Sequence, residues 1–393
     1  MYKDPVAVKK KKESISIVDL GYNSIKISTF DVYKNGQYKK QDQKQEYVQI
    51  GYNLSKANNI IKDQNIERVA KFLNKFKSEL KQIKNNTVIP IATSAVRDAD
   101  NGKDVVKSIK KKTGFEFNVL SGLEEGFFSY LGAQSIMRVP NAIFFDLGGG
   151  SIEVIHVQNY KIKKIICLNL GALRLSEKFV KFNEKLEEES GYMQLEKFLY
   201  KNIPAIDQFK IDETLGVKLV GIGGTVRTIH KFVAGLFQRP PSLPHNHITV
   251  TKKMMDISND IFKRLSQEEL LQIKLIDKQR SKTITAGSCV VKILMERLGF
   301  DELLVCPTGL REGILENYLY FSMDKRHRLR KKFIELNYDD IHSIGYSNSL
   351  TQFSAYDKKS SPFVLLGSHG DFFPKKIISA RLHKMKKTKD DID

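Results

Sequence analysis

The sequence has 393 residues, enough for two or three domains with cores of their own. Hydrophobic residues make up 41% of the chain, which excludes a disordered protein. We find neither an apolar run of membrane-spanning length nor a signal-peptide pattern, so we expect a cytoplasmic protein without membrane contact. The formal charge of +20 favours a polyanionic partner such as nucleic acid, anionic lipid or a phosphate polymer, although a lysine-rich surface that only maintains solubility is the alternative.

The first predicted unit is a strand that turns back at a small polar loop. Ser16–Leu20 reads as the first strand, and Ile25–Phe30 has the alternating pattern of a second one. The loop between them contains Gly21, Asn23 and Ser24. Because glycine lets main-chain N–H groups approach an anion closely, this loop is a candidate phosphate site.

The following segments alternate between strand and helix patterns, as in an α/β protein. A hairpin is predicted over Val32–Gln49, amphipathic helices over Lys56–Lys84 and a strand over Thr87–Ala92. Arg97 follows the end of that strand, where α/β sheets bind ligands, and a guanidinium there can clamp phosphate oxygens. The alternative is a surface ion pair between Arg97 and Asp98.

Two adjacent acids mark the next junction between a strand and a helix. Phe115–Leu120 is predicted as the strand and Phe127–Ile136 as the helix, with Glu124 and Glu125 between them. Such acids commonly favour a helix N-terminus electrostatically. The alternative is a general base that activates water, because this junction, the preceding arginine and the glycine loops all follow strand ends.

The centre of the sequence repeats the N-terminal pattern. A buried strand over Ile143–Phe145 ends at Asp146, and a second strand is predicted over Ile152–Val157, with Glu153 at its start. The loop between them consists of Gly148, Gly149, Gly150 and Ser151. Carboxylates beside such a loop suit a divalent cation that is shared with phosphate oxygens. One triple glycine would indicate only a tight hairpin, but the matching Asp19 unit indicates two similar domains that face a shared cleft.

The remainder of the chain continues the α/β pattern. A strand, glycine loop and helix are predicted over Val217–Ile229, with Gly223 and Gly224 close to a ligand and Thr225 as the helix N-cap. Thr283–Leu294 has the composition of a buried helix. The three cysteines are Cys167, Cys289 and Cys306. They lack metal-ligand spacing, and we expect reduced thiols in apolar surroundings.

With these segments in place, the chain resembles the exopolyphosphatase/guanosine pentaphosphate phosphatase (Ppx/GppA) family from about Ser14 to Tyr320. The motifs that carry the resemblance lie at 18–24, 92–97, 120–126, 145–153, 171–174, 221–225 and 309–313. The resemblance implies an α/β fold in which two ribonuclease H-like domains of the actin and sugar-kinase superfamily flank a cleft. We place domain I at 1–136, domain II at 137–321 and a small, basic, β-rich appendage at 322–393.

The resemblance also implies roles for single residues. Glu125 matches the catalytic base, Arg97 the phosphate-binding arginine, and Asp146 and Glu153 the acids that hold Mg²⁺ or Mn²⁺. The two facing phosphate cradles correspond to Gly21, Asn23 and Ser24 in one domain and to Gly148, Gly149, Gly150 and Ser151 in the other. The segment of Gly223, Gly224 and Thr225 matches the loop that holds adenosine in superfamily kinases, although it need not bind a nucleoside here. A homodimer is expected on the same ground.

The chain departs from the family pattern at two places. Tyr22 stands where the family usually has serine, and its ring could narrow the cleft or stack on a neighbour. Residues 322–393 are too few for the metal-dependent His-Asp helical domain that longer members carry. Chain-end selectivity and processivity therefore cannot be carried over from the resemblance.

The implied activity is hydrolysis of the terminal phosphoanhydride bond of inorganic polyphosphate, and the charge of +20 fits that substrate. The same residues would serve the first alternative, hydrolysis of guanosine pentaphosphate, and the motifs do not separate the two. A second alternative is a non-catalytic polyanion-binding protein, which would bind in a salt-dependent manner and release no phosphate.

Overall fold

The computed structural model describes residues 11–34, 37–180, 191–209, 211, 213–236 and 249–323. The strands are β1 (Lys11–Leu20), β2 (Ile25–Tyr33), β3 (Tyr38–Glu46), β4 (Asn86–Ala92), β5 (Asn118–Val119), β6 (Ala142–Leu147), β7 (Ile152–Gln158), β8 (Lys161–Leu168), β9 (Lys218–Ile222), β10 (Thr249–Thr251) and β11 (Glu302–Val305).

The α-helices are α1 (Asp63–Gln82), α2 (Ser94–Asp98), α3 (Gly102–Thr113), α4 (Gly122–Met137), α5 (Ala172–Phe179), α6 (Gly191–Asn202), α7 (Gly224–Leu236), α8 (Lys252–Arg264), α9 (Gln267–Gln272), α10 (Lys278–Ser281), α11 (Ile284–Arg297) and α12 (Leu310–Met323). Short 3-10 helices lie at Ser55–Ala57, Ile206–Phe209 and Glu213–Leu215. Within this part of the chain, no helix combines the length and the apolar composition that crossing a bilayer requires.

Two sheets share one topology. The order of the first sheet is β3-β2-β1-β4-β5, and the second, read from β8, runs β8-β7-β6-β9-β11-β10. In each sheet the first three strands form an antiparallel meander, the fourth strand pairs in parallel with the first, and the fifth pairs in parallel with the fourth. The second sheet has one more strand, β10, which pairs with β11 in the antiparallel direction. This repeated order is that of the ribonuclease H-like domain. The two similar domains predicted from the matching Asp-Leu-Gly units, and the ribonuclease H-like fold that the family resemblance implies, are confirmed.

Several boundaries differ from those predicted. The predicted strand Phe115–Leu120 shrinks to β5, with two residues, because this edge of the sheet pairs with β4 only at its last positions. The predicted N-cap at Thr225 is wrong: α7 already includes Gly224, so Thr225 lies inside the first turn. The turn at residues 35–36 and residues 324–393 of the predicted appendage lie outside the described residues.

Helices α4 and α12 lie between the two sheets, and each packs on the sheet of the other lobe. Helix α4 follows the first sheet in sequence but packs on β6, β7 and β8, whereas α12 follows the second sheet and packs on β1. Residues of both helices share one buried cluster with residues of both sheets, among them Phe128 and Leu315. The two lobes are therefore joined by a core of their own.

The crossing of α4 and α12 depends on glycines. A Cβ atom on Gly132 would lie 2.0 Å from the Gly309 carbonyl oxygen, and one on Gly313 would lie 1.8 Å from the Phe128 carbonyl oxygen. No side chain fits at these distances. The two helices thus touch backbone to backbone at this crossing, and the sequence requires glycine there for close approach rather than for an unusual φ angle.

Candidate active site

A cavity of about 240 Å³ opens between the lobes. Its walls come from the β1–β2 loop and β3 of the first lobe, and from the β6–β7 loop, the start of α7 and the start of α12 of the second. The predicted residues Gly21, Asn23, Ser24, Glu125, Asp146, Gly148, Gly149, Gly223, Gly224 and Thr225 all line this cavity. The remaining four predicted residues, Arg97, Gly150, Ser151 and Glu153, are not among its lining residues.

The two candidate phosphate loops have the same backbone geometry. The Gly21 N–H donates to the Ser24 carbonyl at 3.0 Å, and the Gly148 N–H donates to the Ser151 carbonyl at the same distance. Each loop closes the end of an antiparallel strand pair, because Leu20 pairs with Ile25 just as Leu147 pairs with Ile152. The internal repeat in the sequence is therefore also a repeat of local structure.

The loops face each other in close contact. A Cβ atom on Gly149 would lie 3.3 Å from the Cβ atoms of Tyr22 and Asn23, and one on Gly150 would lie 2.2 Å from the Tyr22 ring. Ser151 is 1% exposed and lies behind the loop. Glycine at 149 and 150 thus permits the close approach of the lobes, and only the first of these two borders the cavity.

The start of α4 separates the two adjacent acids. Ser121 and Glu124 form a capping box, in which the Glu124 carboxylate accepts from the Ser121 backbone N–H at 2.8 Å. Glu125 is one position further around the helix and faces the cavity, with 8% of its surface exposed. The first acid therefore stabilises the helix end, and the second is free for chemistry in the cavity.

Arg97 is hydrogen-bonded to Glu125 but is not one of the residues that line the cavity. Its Nη1 atom donates to the Glu125 carboxylate at 2.7 Å and to the Leu120 carbonyl at 3.1 Å, and its Nε atom lies 3.4 Å from Asp98. Arg97 does pair with Asp98, as the alternative expected, but Arg97 is only 8% exposed, so this pair is not on the surface. In this structure Arg97 contacts the candidate base and does not border the cavity.

Burial sets the acidity of Glu125. Loss of hydration raises the pKa of this carboxyl to about 7, against the opposing attraction and hydrogen bond of Arg97, while Asp146 and Asp19 raise it further. A carboxyl group with a pKa near neutrality exists in both protonation states at physiological pH. It can take up a proton from water and release it again, as a general base must.

Asp146 and Glu153 differ in their access to the cavity. Asp146 borders the cavity and accepts a hydrogen bond from Ser129 Oγ at 2.5 Å; burial raises its pKa, and this hydrogen bond opposes the rise. Glu153 is 1% exposed and accepts from Cys167 Sγ at 3.2 Å. Burial and the neighbouring Glu125 carboxylate raise the pKa of Glu153 well above its ordinary value.

The donor set fits a divalent cation that also binds phosphate. Asp19, Glu125 and Asp146 bring carboxylate oxygens to the cavity, which is the chemistry that Mg²⁺ prefers. Among residues 11–323 as far as they are described, no group of three or more acidic, histidine or cysteine side chains is placed to hold a metal by itself. Asp146 would therefore bind the ion together with phosphate oxygens and water, and the roles of Asp146 and Glu153 remain predictions.

Cys167 contradicts the expectation of an apolar environment. Its sulfur lies 3.2 Å from the Glu153 carboxylate and 3.8 Å from the Arg97 guanidinium, in contact with charged groups from both lobes. Burial raises the pKa of its thiol well above the ordinary value, so the neutral thiol is favoured. Cys289 and Cys306 are buried, and all three thiols are free, as predicted.

The Gly223–Thr225 loop approaches both Asp146 and a guanidinium. Gly223 has a φ angle of +112°, and a Cβ atom there would lie 2.5 Å from the Leu147 carbonyl oxygen, so this position requires glycine. The Thr225 hydroxyl accepts from Arg280 Nη1 at 2.8 Å. An arginine side chain therefore lies on the loop that was compared with a nucleoside site.

Sequence reasoning missed the cations of the cavity. They are Lys26, Lys40, Arg227, Arg280 and Arg311. Lys40 pairs with Glu312 at 2.5 Å, and Arg311 Nη1 lies 3.0 Å from Asp19. The signal for Arg311 was present, because it lies inside the Gly309–Gly313 motif. Lys26 pairs across β1 and β2 with Asp19, as Glu153 pairs with Asp146, so alignment of the two units would have shown a lysine beside the first loop.

Tyr22 does stack on a neighbour, as its departure from the family pattern suggested. The ring is 2% exposed, and the Arg174 guanidinium lies 5.0 Å from its centroid. The hydroxyl oxygen is buried and has no hydrogen-bond partner among the described residues. Tyr22 also borders the cavity and supports Gly150 of the opposite loop, so its ring is part of the contact between the lobes.

Comparison with known proteins agrees with this geometry. The model of the Ppx/GppA phosphatase family matches residues 37–320. Exopolyphosphatase 1 of Mycobacterium tuberculosis is 22% identical over 308 residues, which are 77% of this chain and 87% of that protein. A bifunctional 3-dehydroquinate synthase/phosphatase of Fusobacterium nucleatum is 28% identical over 311 residues, 76% of this chain. The matched region spans only 46% of the length of that bifunctional relative.

Solved structures show the same fold. The Ppx/GppA family member of Aquifex aeolicus superposes with a TM-score of 0.63 at 24% identity, over 80% of this chain and 99% of that one. An exopolyphosphatase from Cytophaga hutchinsonii gives 0.68 at 20% identity, over 79% and 98% of the two chains. Since the family model covers most of the chain, the protein belongs to the Ppx/GppA phosphatase family and is a phosphoanhydride hydrolase.

Proposed function

We propose that the protein is an exopolyphosphatase, which hydrolyses the terminal phosphoanhydride bond of inorganic polyphosphate and releases orthophosphate. The observation that carries this proposal is a single cavity in which Glu125, with a pKa of about 7, faces two glycine loops and a set of cationic side chains. The formal charge of +20 supports a long polyanion over a compact substrate, because it attracts such a chain from solution. The mycobacterial relatives named exopolyphosphatase support the same substrate.

Different residues of the cavity have different roles in the proposed hydrolysis. The loops at Gly21–Ser24 and Gly148–Gly149 hold the terminal phosphate between the lobes, and Glu125 takes a proton from the water that attacks its phosphorus. The P–O–P bond then breaks, and the bridging oxygen leaves with the shortened chain. Arg97 orients the Glu125 carboxylate through the 2.7 Å hydrogen bond. Most of the catalysis is positioning and charge stabilisation, as in other phosphoryl transfers.

A divalent cation completes the proposed site. Asp146 would hold Mg²⁺ or Mn²⁺ at the cavity wall, with Ser129 fixing the orientation of that carboxylate. When bound, the ion neutralises charge on the phosphate oxygens. Glu153 supports this region from beneath the β6–β7 loop, since β6 and β7 pair Asp146 directly with Glu153. A homodimeric assembly and a cytoplasmic location stay predictions of the sequence.

The decisive experiment compares orthophosphate release from long-chain polyphosphate and from guanosine pentaphosphate, with Mg²⁺ and at equal enzyme concentration. We expect the polymer to have the higher kcat/KM. A preference for the nucleotide would assign the same residues to guanosine pentaphosphate hydrolysis. Salt-sensitive binding of both compounds without any phosphate release would instead support the non-catalytic polyanion-binding alternative.

The neighbouring glutamates provide matched variants. Glu125→Gln removes the base and is expected to lower kcat by about 10²–10⁴-fold, the usual contribution of a general base. Glu124→Gln makes the same change of charge one residue away, but its amide oxygen can still accept the capping hydrogen bond, so we expect nearly normal activity. Equal activities of the two variants would exclude Glu125 as the base.

A further inference from the structure

Arg227 is a cation of the cavity for which the described structure provides no partner. It lies in the first turn of α7, where its backbone N–H donates to the Gly223 carbonyl at 3.2 Å, and its side chain borders the cavity. Lys40 and Arg311 in the same cavity each have a carboxylate partner, and Arg280 donates to Thr225. No hydrogen bond or ion pair of the Arg227 guanidinium is formed with any described residue.

The electrostatic environment of Arg227 is unfavourable in the absence of an anion. Burial and the like charge of Arg311 lower its pKa, and the opposing attraction comes from Asp146 and Glu312. Glu312 already pairs with Lys40. A guanidinium has five donors in a fixed planar fork, and those of Arg227 are directed to the cavity rather than to acceptors on the described residues. The fork matches the oxygens of a phosphate group, which could accept two parallel hydrogen bonds.

Asp146 lies close to both helices that carry Glu125 and Arg227. It accepts a hydrogen bond from Ser129 Oγ, one turn along α4 from Glu125, and a Cβ atom on Gly223, just before α7, would lie 3.2 Å from its Oδ1 atom. The strongest charged neighbours of Glu125 are Arg97, Asp146 and Asp19, whereas those of Arg227 are Arg311, Asp146 and Glu312. Asp146 is the charged group that the two sets share. A phosphate chain that extends from Glu125 to Arg227 within this cavity therefore passes close to Asp146.

We propose that Arg227 binds the second phosphate of the substrate, the group adjacent to the one that is cleaved. This proposal rests on the proposed function, since it takes the phosphate beside Glu125 as the terminal one. The second phosphate stays with the shortened chain when the bond breaks. Arg227 therefore selects for substrates with at least two linked phosphates and contributes little to the binding of orthophosphate.

The test measures binding of two probes that the enzyme cannot hydrolyse. Orthophosphate occupies one phosphate position, and methylenediphosphonate occupies two. Isothermal titration in the presence of Mg²⁺ gives Kd for each probe with the full-length protein and with Arg227→Gln. We expect the variant to bind methylenediphosphonate at least tenfold more weakly and to bind orthophosphate within twofold of the unmodified protein.

Two further variants control for charge and folding. Lys231→Gln removes the same charge from an exposed position one turn further along α7, and it should leave both Kd values unchanged. Arg227→Lys should bind methylenediphosphonate with intermediate affinity, because an ammonium retains the charge but not the planar fork. Unchanged binding of methylenediphosphonate to Arg227→Gln overturns the proposal.

If Arg227→Gln binds both probes more weakly by the same factor, the proposal is also overturned, because Arg227 would then bind the terminal phosphate or stabilise the fold. The proposed function can fail separately. An unmodified protein that binds both probes and shows the selective loss in Arg227→Gln, yet releases no phosphate from the polymer, would retain the subsite and lose the exopolyphosphatase assignment.

Discussion

Replacement of Arg97 by glutamine should move the pH dependence of catalysis to more alkaline values. Glu125 has a pKa of about 7, so about half of it is ionised at pH 7. Its hydrogen bond with Arg97 joins two charged groups at 2.7 Å. Such a bond is worth about 1.5–3 kcal/mol, which corresponds to a change of about ten- to a hundredfold in the ratio of protonated to ionised carboxyl.

The ionised fraction of Glu125 at pH 7 should therefore fall to about one to ten per cent in Arg97→Gln, and kcat should fall in proportion, by about 5- to 50-fold. A base must be ionised to act, so activity is recovered as pH rises. The assay is kcat for orthophosphate release between pH 6 and 9, plotted as the ratio of variant to unmodified enzyme so that any shared alkaline loss cancels.

The shape of that ratio distinguishes two roles of Arg97. If Arg97 acts by favouring the ionised form of Glu125, the ratio climbs towards one across this range. A low ratio that is independent of pH would refute this reasoning and indicate that Arg97 acts through orientation of Glu125 or through direct contact with phosphate, the role that family resemblance implies. Circular dichroism before each assay controls for folding, since loss of a buried charged partner can also destabilise the protein.

Two other changes have expected outcomes that follow from single side chains. Burial and Arg311 lower the pKa of Lys26 to about 8, so activity should decline as pH rises through 8 and this cation loses its proton. Lys26→Met should have a lower kcat/KM at neutral pH and should not show this decline. If the decline persists in the variant, Lys26 is not its source. Tyr22→Phe removes a buried hydroxyl that has no partner among the described residues and should leave Tm unchanged or slightly raised. Tyr22→Ser leaves a cavity and should cost about 3–5 kcal/mol in thermal or urea unfolding, and equal stabilities of the two variants would show that the ring is not part of the core.

The parts of the site that sequence reasoning anticipated are those encoded by local pattern. The two strand–loop–strand units could be aligned by eye, and because the loop geometry depends on hydrogen bonds within four residues, it followed from the alignment. The Ser121–Glu124 spacing of a capping box would also have distinguished the two adjacent glutamates, but it was not used, and Glu125 was chosen from family resemblance.

The parts that were missed depend on contacts between distant segments. Cys167 lies on β8, yet its charged neighbour Arg97 comes from the other lobe, so the apolar sequence around the cysteine was misleading. Arg227 is one of many basic residues in a chain with 65 lysines and arginines. Its place in the cavity and the absence of a partner among the described residues, which it shares with Lys26, can be seen only in three dimensions.

The close contact of α4 and α12 at their glycines determines how far apart the two lobes lie. A methyl group at Gly313 would lie 1.8 Å from the Phe128 carbonyl oxygen, far inside van der Waals contact, and would act as a wedge between the two helices. Because α12 packs on the first sheet and α4 on the second, a wedge here would separate the lobes and part the glycine loops at the cavity. The separation of the two lobes at the cavity therefore depends on Gly132 and Gly313, which do not line the cavity themselves.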